Sequence, residues 1–290
     1  MANAIIFGNL TIDDNFLQDK KFTSPGGSAY FCAKTFENLG INPTIIARYG
    51  EDFPKKYLLK TIYYPTKATD KKTLYFKNFY SHGGDRYQWV KNQQMAKFIS
   101  IEKIPQNLLK NKDIVIVAPL IDSLSCKELI KICNYYKNSL VILLPQGFYR
   151  KILSGGRIRQ RNWSQAEKII PLFDFIILSN KDYFQAEELA EAWNKKGPIV
   201  IVTKSGQGCT IFNKGQKYTV EAARITKIVS RSGVGDIFAA AFAYAFNKNG
   251  NVVDSGRFAN TVSAYSLRFM PNQLQYSYQD FVNFIRYPKY

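Results

Sequence analysis

"SRSGVGDIFAAAFAYAF", residues 230–246, sets a Gly-Val-Gly-Asp turn directly against an unbroken apolar run. Small residues let the backbone come close to an anion. A helix opening near Asp236 leaves its first N–H groups unpaired and aimed into the turn, a ready anion site. A carboxylate placed there has two possible uses. It can cap the helix, a contribution of about 0.5–2 kcal/mol. It can instead remove a proton beside a bound phosphoryl group, a role worth about 10²–10⁴-fold in rate. Spacing alone does not separate the two.

Working outward from this turn, short apolar runs alternate with helical patterns. The runs 4–10, 43–50, 113–120, 139–147, 174–180 and 198–208 read as strands, and 28–40, 125–138 and 182–195 as helices, the first ended by Gly40. Strands that are apolar throughout and separated by helices indicate a mostly parallel sheet covered on both faces. Ligands gather at the carboxyl ends of such strands. Polar, glycine-containing turns fall there: "GNLTID" (8–13), "LPQGFYR" (144–150), "LSNKD" (178–182), "VTKSGQG" (202–208) and "SRSGVGD" (230–236). A strand through "ITKIVS" (225–230) would feed the last of them.

Residues 66–90 break the alternation. Polar and aromatic residues interleave around "SHGGDR" (81–86), a hairpin turn that contains His82, the single histidine, read as an ordinary turn residue. With residues 10–22 this stretch forms a small antiparallel flap, and the whole chain, 1–290, reads as one domain carrying lid segments around 10–22 and 66–92.

Composition narrows the function classes. With 46% hydrophobic residues, 21 Phe and 19 Tyr, the 290-residue chain can bury a large core, which excludes global disorder. The net charge of +18 suits an anionic partner. Lys and Arg are scattered, however, so a solvated basic surface is expected and no nucleic-acid patch. Cys32, Cys126, Cys133 and Cys209 form no CxxC pair and read as reduced core residues. Apolar runs such as 237–246 are too short to cross a bilayer, so a soluble cytoplasmic protein without membrane partners is expected. No GxxxxGK[ST] or GxGxxG phosphate grip occurs.

The 230–246 stretch resembles the C-terminal signature of the ribokinase (PfkB) family of carbohydrate kinases, D-T-x-G-A-G-D followed by an apolar helix. "SPGGSAYFCAKTFENLG" (24–40) resembles the family's N-terminal signature. "GNLTID", "ARYGEDFP" (47–54), "PQGFYR" (145–150), "SNKDYF" (179–184), "VTKSGQG" and "RFANTVSAYS" (257–266) follow in family order, so the likeness spans nearly the whole chain. It implies a ribokinase-like three-layer α/β fold with a mostly parallel central sheet and a small β lid. It implies ATP and Mg²⁺ as cofactors and phosphorylation of a hydroxyl on a small sugar-like acceptor. By position, Asp236 is the implied catalytic base, and Gly233, Val234 and Gly235 the backbone anion hole. Asp13, Gly26 and Gly27 match acceptor-binding positions. Asn180, Thr203, Gly206 and Gly208 match positions lining the nucleotide phosphates, and Asn260 falls near the adenine pocket. Lys204 lies between these and could reach a phosphate or solvent.

Several positions depart from the family pattern. Ser230 and Arg231 replace its first Asp and Thr. The N-x-x-E motif reads Asn180-Lys181-Asp182-Tyr183, so its glutamate is missing and the metal ligands stay unknown. Tyr30 and Phe31 occupy the region where an Asn is often found. Two further readings stand beside the sugar kinase: a nucleoside kinase with Tyr30, Phe31 or Tyr75 stacked on the base, and a ligand-binding or regulatory protein that kept the fold with impaired catalysis. The acceptor's identity stays open. The lid edge is a candidate homodimer surface, opposed by the charges of Lys71, Lys72 and Lys77.

Overall fold

A computed structural model describes residues 2–17, 20–80, 86–225 and 227–286. In chain order the strands are β1 (Ala4–Gly8), β2 (Thr11–Leu17), β3 (Lys20–Gly26), β4 (Thr44–Ile46), β5 (Ile62–Tyr64), β6 (Leu74–Tyr80) and β7 (Arg86–Lys91). They continue with β8 (Ile114–Ala118), β9 (Leu140–Leu143), β10 (Arg150–Ile152), β11 (Ile158–Gln160), β12 (Phe175–Ser179), β13 (Ile199–Thr203), β14 (Cys209–Asn213) and β15 (Gln216–Val220). The helices are α1 (Ser28–Asn38), α2 (Gln106–Leu109), α3 (Cys126–Tyr135), α4 (Ala166–Ile169), α5 (Ala186–Asn194), α6 (Val234–Asn249), α7 (Val252–Ser266) and α8 (Tyr278–Arg286).

Among the described residues the central sheet runs β15-β14-β13-β12-β9-β8-β1-β4-β5. Every pairing is parallel except β13–β14 and β14–β15. Alternate residues of each inner strand feed two separate cores, as the pleat requires. Ala4, Ile6, Ile114, Ile116, Ile142, Phe175, Ile177 and Ile201 pack toward α1, α6 and α7. Ile5, Phe7, Val115, Val117, Val141, Leu143, Ile176 and Leu178 pack toward α3 and α5. The result is the ribokinase-like three-layer arrangement with a large, mostly parallel sheet.

Helix α6 is apolar almost all round because it is covered on nearly every side; Ala239 to Ala243 have no exposed surface. Phe238, Phe242 and Phe246 stack along one face at 6.3 and 6.0 Å, and Phe175 of β12 meets Phe242 edge-on. Truncating Phe242 would cost about 3–5 kcal/mol. This packing fixes where the Gly-Val-Gly-Asp turn sits, at the carboxyl edge of the sheet. The turn is not fed by a strand. Residues 227–230 are irregular, and the amides of Val229 and Ser230 donate to the Leu267 carbonyl after α7 instead of to a strand partner.

A second sheet, β3-β2-β6-β7, lies beside the main one. It is not wholly antiparallel, since β2 and β6 run parallel. Its segments are 11–26 and 74–91, so Thr66–Thr73 lie outside it. The edges are β3 and β7; Lys77 stands on the inner strand β6, and Lys71 and Lys72 precede it, so these lysines do not charge an edge. The turn at 81–85, with His82, lies outside the described residues. Of the cysteines, Cys32, Cys133 and Cys209 are buried, all four are unpaired, and Cys126 is only half-buried.

Candidate active site

Gly233 caps α6 in the left-handed region, at φ 70°. A Cβ there would strike the Phe31 ring, so the position needs glycine for both conformation and space. No side chain caps the helix. Ile237 is the first amide to find a helical acceptor, the Gly233 carbonyl at 2.9 Å. Among the described residues the amides of Gly233, Val234, Gly235 and Asp236 have no hydrogen-bond acceptor. The nest expected from sequence is therefore open. Ser230, where the family pattern has Asp, accepts the Ser232 amide at 3.2 Å and so still shapes the turn.

Asp236 lies in the first turn of α6 without accepting a capping bond. The residue is half-buried. Burial pushes it up from the usual 3.8 to about 7, the charge of Asp182 adds to the rise, and Arg150 and Arg86 oppose it. A carboxylate near 7 accepts a proton readily at neutral pH.

Asp13, on β2, lies near enough for its charge to add to the rise of Asp236. Thr11 Oγ1 donates to its Oδ1 at 2.6 Å. Burial raises it to about 6 against the Thr11 bond and the charges of Arg86 and Arg150. Gly26, opposite Thr11 on β3, leaves room for this carboxylate, because a Cβ would overlap it. Gly27 opens α1 at φ 93°, pressed against the Asn9 carbonyl. Neighbouring Asp14 turns the other way, toward Thr23, Tyr75 and Lys21.

Asp182 approaches Asp236 from the turn after β12. The expected helix over 182–195 begins only at Ala186, so Asp182 is in a turn where helical spacing does not govern its direction. Gln146 donates to its Oδ1 at 2.7 Å and the Ser179 amide to its Oδ2 at 3.2 Å. Tyr183, where the family pattern has Glu, packs on Tyr149 at 5.3 Å. Arg150 received no role from sequence. It begins β10, is nine-tenths buried, and places its charge among Asp13, Asp182 and Asp236. Only its position in "PQGFYR" pointed to it, and nothing local shows that β10 aims it toward those carboxylates.

The positions assigned to a nucleotide divide. Asn180 is exposed after β12, its amide on the Thr203 carbonyl at 3.1 Å. Thr203 ends β13, and Gly206 has open space around it. Gly208, at φ 85°, is pressed against the Val220 carbonyl and shapes the turn itself. Lys204 is paired with Glu187 at 3.0 Å rather than free for a phosphate. Asn260 is buried and spends its amide hydrogens on the Val220 and Glu221 carbonyls at 3.0 and 2.9 Å. Tyr30 and Phe31 lie in the core, and Tyr30 bonds the Pro271 carbonyl, so neither presents a face to a base.

Among the described residues no three His, Cys, Asp or Glu side chains converge on a metal position. Mg²⁺ commonly keeps several waters and takes only one or two carboxylates alongside substrate phosphates. The scattered carboxylates suit such a phosphate-bridged ion and not a protein-only cage.

The fold matches that of known kinases. A solved pyrophosphate-dependent kinase in the ribokinase family superposes with a TM-score of 0.78 at 18% identity, covering 98% of this chain and 99% of that one. A nucleoside kinase of Methanocaldococcus jannaschii gives 0.75 at 17%, covering 99% and 98%. In sequence, the chain is 23% identical over 257 residues to a cytidine kinase of Thermococcus kodakarensis, 86% of this chain and 90% of the relative. Among the described residues no helix is long and apolar enough to cross a membrane. The family model for pfkB family carbohydrate kinases matches residues 15–269. The chain belongs to that family, and is a sugar or nucleoside kinase that transfers a phosphoryl group to an alcohol.

Proposed function

We propose that the chain transfers the γ-phosphoryl group of ATP to a hydroxyl of a small sugar-like acceptor, with Asp236 as general base. The observation that carries this is the run of four consecutive amides, Gly233 to Asp236, without an acceptor among the described residues, at the helix start that also carries a carboxylate raised to about 7. Those amides hold the transferred phosphoryl oxygens, where charge spreads in the transition state. Asp236 takes the hydroxyl proton as the acceptor oxygen attacks in line. Asp13, with Gly26 and Gly27 leaving space, orients other acceptor hydroxyls. Asn180, Thr203 and Gly206 flank the donor phosphates, and Asp182 is the carboxylate best placed toward a phosphate-bound Mg²⁺, which supplies charge neutralisation. Residues 1–290 act as one unit, with β2, β3, β6 and β7 as a lid that excludes water. The outward lid face, where Phe16 stacks on Phe79 at 4.4 Å, is the surface for a homodimer. The unpaired cysteines suit a reducing cytoplasm.

A nucleoside acceptor is the second reading, supported by the likeness to the cytidine kinase. The buried state of Tyr30 and Phe31 removes two of the three stacking partners first considered for it and leaves half-buried Tyr75. ATP consumption with a panel of sugars and nucleosides, by the natural chain and Asp236→Asn, tests the proposal. A loss of about 10²–10⁴-fold is expected in the variant. Undiminished transfer would remove Asp236 from the mechanism, and binding without any turnover would favour a ligand-binding protein.

A further inference from the structure

The small sheet has an outward face that phosphoryl transfer leaves unused. An antiparallel bridge joins Trp89 of β7 to Arg157, so the β10–β11 hairpin continues this sheet past β7. Ile152 and Ile158 of the hairpin pack inward on the cluster of Leu74, Phe76 and Val90. Alternation along the strands then sends Lys151, Arg157 and Arg159 outward, and all three are exposed. Lys151 and Arg159 stand directly opposite one another, a like-charge pairing that disfavours the hairpin.

The same face of β6 and β7 supplies Lys77 and Lys91, with Lys77 opposite Trp89. Among the described residues none of these five cations is in an ion pair. Asp14, the one carboxylate on this face among the described residues, is already taken by Thr23, Tyr75 and Lys21. Neighbouring Arg161 is spent on Asp122 and the Phe148 carbonyl. The cations come from separate segments joined by register, which is why they look scattered along the sequence.

Aromatic rings stand among them. Tyr87 is 47% exposed and Phe79 37%. The two are opposite each other on β7 and β6, and Trp89 meets Phe79 edge-on at 5.3 Å. The direction of the bridge carries Arg159 toward Tyr87. From β6 to β10 the face spans about 14 Å, at the usual distance between strands. Exposed rings between unpaired cations match a chain that alternates bases with phosphates, since any base can stack on a ring while its phosphate meets a cation. The bases must be unpaired to reach the rings. That is the ordinary state of RNA loops and ends, whereas a duplex hides its bases. An acidic protein would use the cations and leave the rings idle. The Phe16–Phe79 stack proposed for a second copy lies to the β2 side; over β7, β11 and β10 a second copy would set like charge against like.

We propose that this outward face binds single-stranded RNA, with phosphates along Lys77, Lys91, Lys151, Arg157 and Arg159 and bases on Tyr87 and Phe79. The proposal goes beyond phosphoryl transfer and does not depend on it.

Fluorescence anisotropy of a labelled 12-nucleotide single-stranded RNA, titrated with the full-length protein, tests it. Affinity should fall roughly 100-fold between 50 and 200 mM salt if all five cations meet phosphates. Arg157→Gln and Arg159→Gln together should reduce the slope of log affinity against log salt by about 1.4. Tyr87→Leu keeps apolar bulk and removes the ring. It should weaken RNA binding about fivefold or more and leave binding of inorganic polyphosphate of equal charge unchanged, both variants being shown folded by thermal unfolding. An unhydrolysable ATP analogue should leave the RNA bound. The proposal is overturned if the RNA binds no tighter than the polyphosphate, or if duplex DNA of equal length or phosphatidylserine vesicles bind better. It is equally overturned if the analogue displaces the RNA, or if either variant behaves as the natural chain. RNA binding that disappears as the protein self-associates would give the face to a second copy and also overturn it.

Discussion

Replacing Asp236 by Asn should make the protein slower and more stable at once. In the folded chain this carboxyl is raised from 3.8 to about 7, chiefly by burial. The folded state therefore holds its proton more tightly than the unfolded chain. Stability is lost as pH rises from about 4 to about 7, and the penalty is complete above 7. At about 1.4 kcal/mol per pH unit the ionised group costs the folded state up to about 4 kcal/mol, less where water screens it. Asn does not ionise, so the variant should exceed the natural chain by about 1–4 kcal/mol at pH 8.5, and the gap should close toward pH 4. Urea unfolding at several pH values reads this difference, and the other titrating groups cancel in the comparison. Activity should fall by about 10²–10⁴-fold. In the natural chain the rate should drop tenfold per pH unit below about 7 as the base protonates. Equal stability of the two proteins at every pH would refute a desolvated, ionised Asp236.

Three more substitutions probe the same site. Gly233→Ala should lose at least about 2 kcal/mol in urea unfolding and most of its activity, because left-handed backbone alone costs about 1–2 kcal/mol and the Phe31 ring must also move. Asp182→Asn removes a negative charge that raises Asp236, so the acid limb of the pH–rate profile should shift to lower pH while Gln146 keeps an acceptor. Lys204→Met should change the KM for ATP less than about threefold and stability by no more than about 1 kcal/mol, since this lysine serves a partly exposed pair with Glu187. A large rise in KM would return Lys204 to the phosphates.

Strand and helix order was legible because buried parallel strands leave continuous apolar runs. β1, β8, β9, β12 and β13 each lie inside a run read from sequence. Gly40, at φ 83°, ends the first helical segment where its glycine signalled. The turn at 233–236 was legible because glycine spacing before an apolar helix is a local pattern. Arg150 was not, because the carboxylates its charge meets, Asp13, Asp182 and Asp236, are distant in sequence. The side-chain partners of Asn260 and Lys204 were hidden for the same reason: Val220, Glu221 and Glu187 are distant in sequence. The expected strand at 225–230 failed since Val229 and Ser230 find an acceptor at the end of α7.

Whether the start of α6 grips the transferred phosphoryl group is decided by the backbone amide resonances of isotope-labelled protein as Mg²⁺ and an unhydrolysable ATP analogue are added. The Gly233, Val234 and Gly235 amides should shift in a saturable way, with hydrogen-exchange protection that the free protein lacks. Resonances elsewhere moving while these three stay fixed would contradict an anion site at that turn.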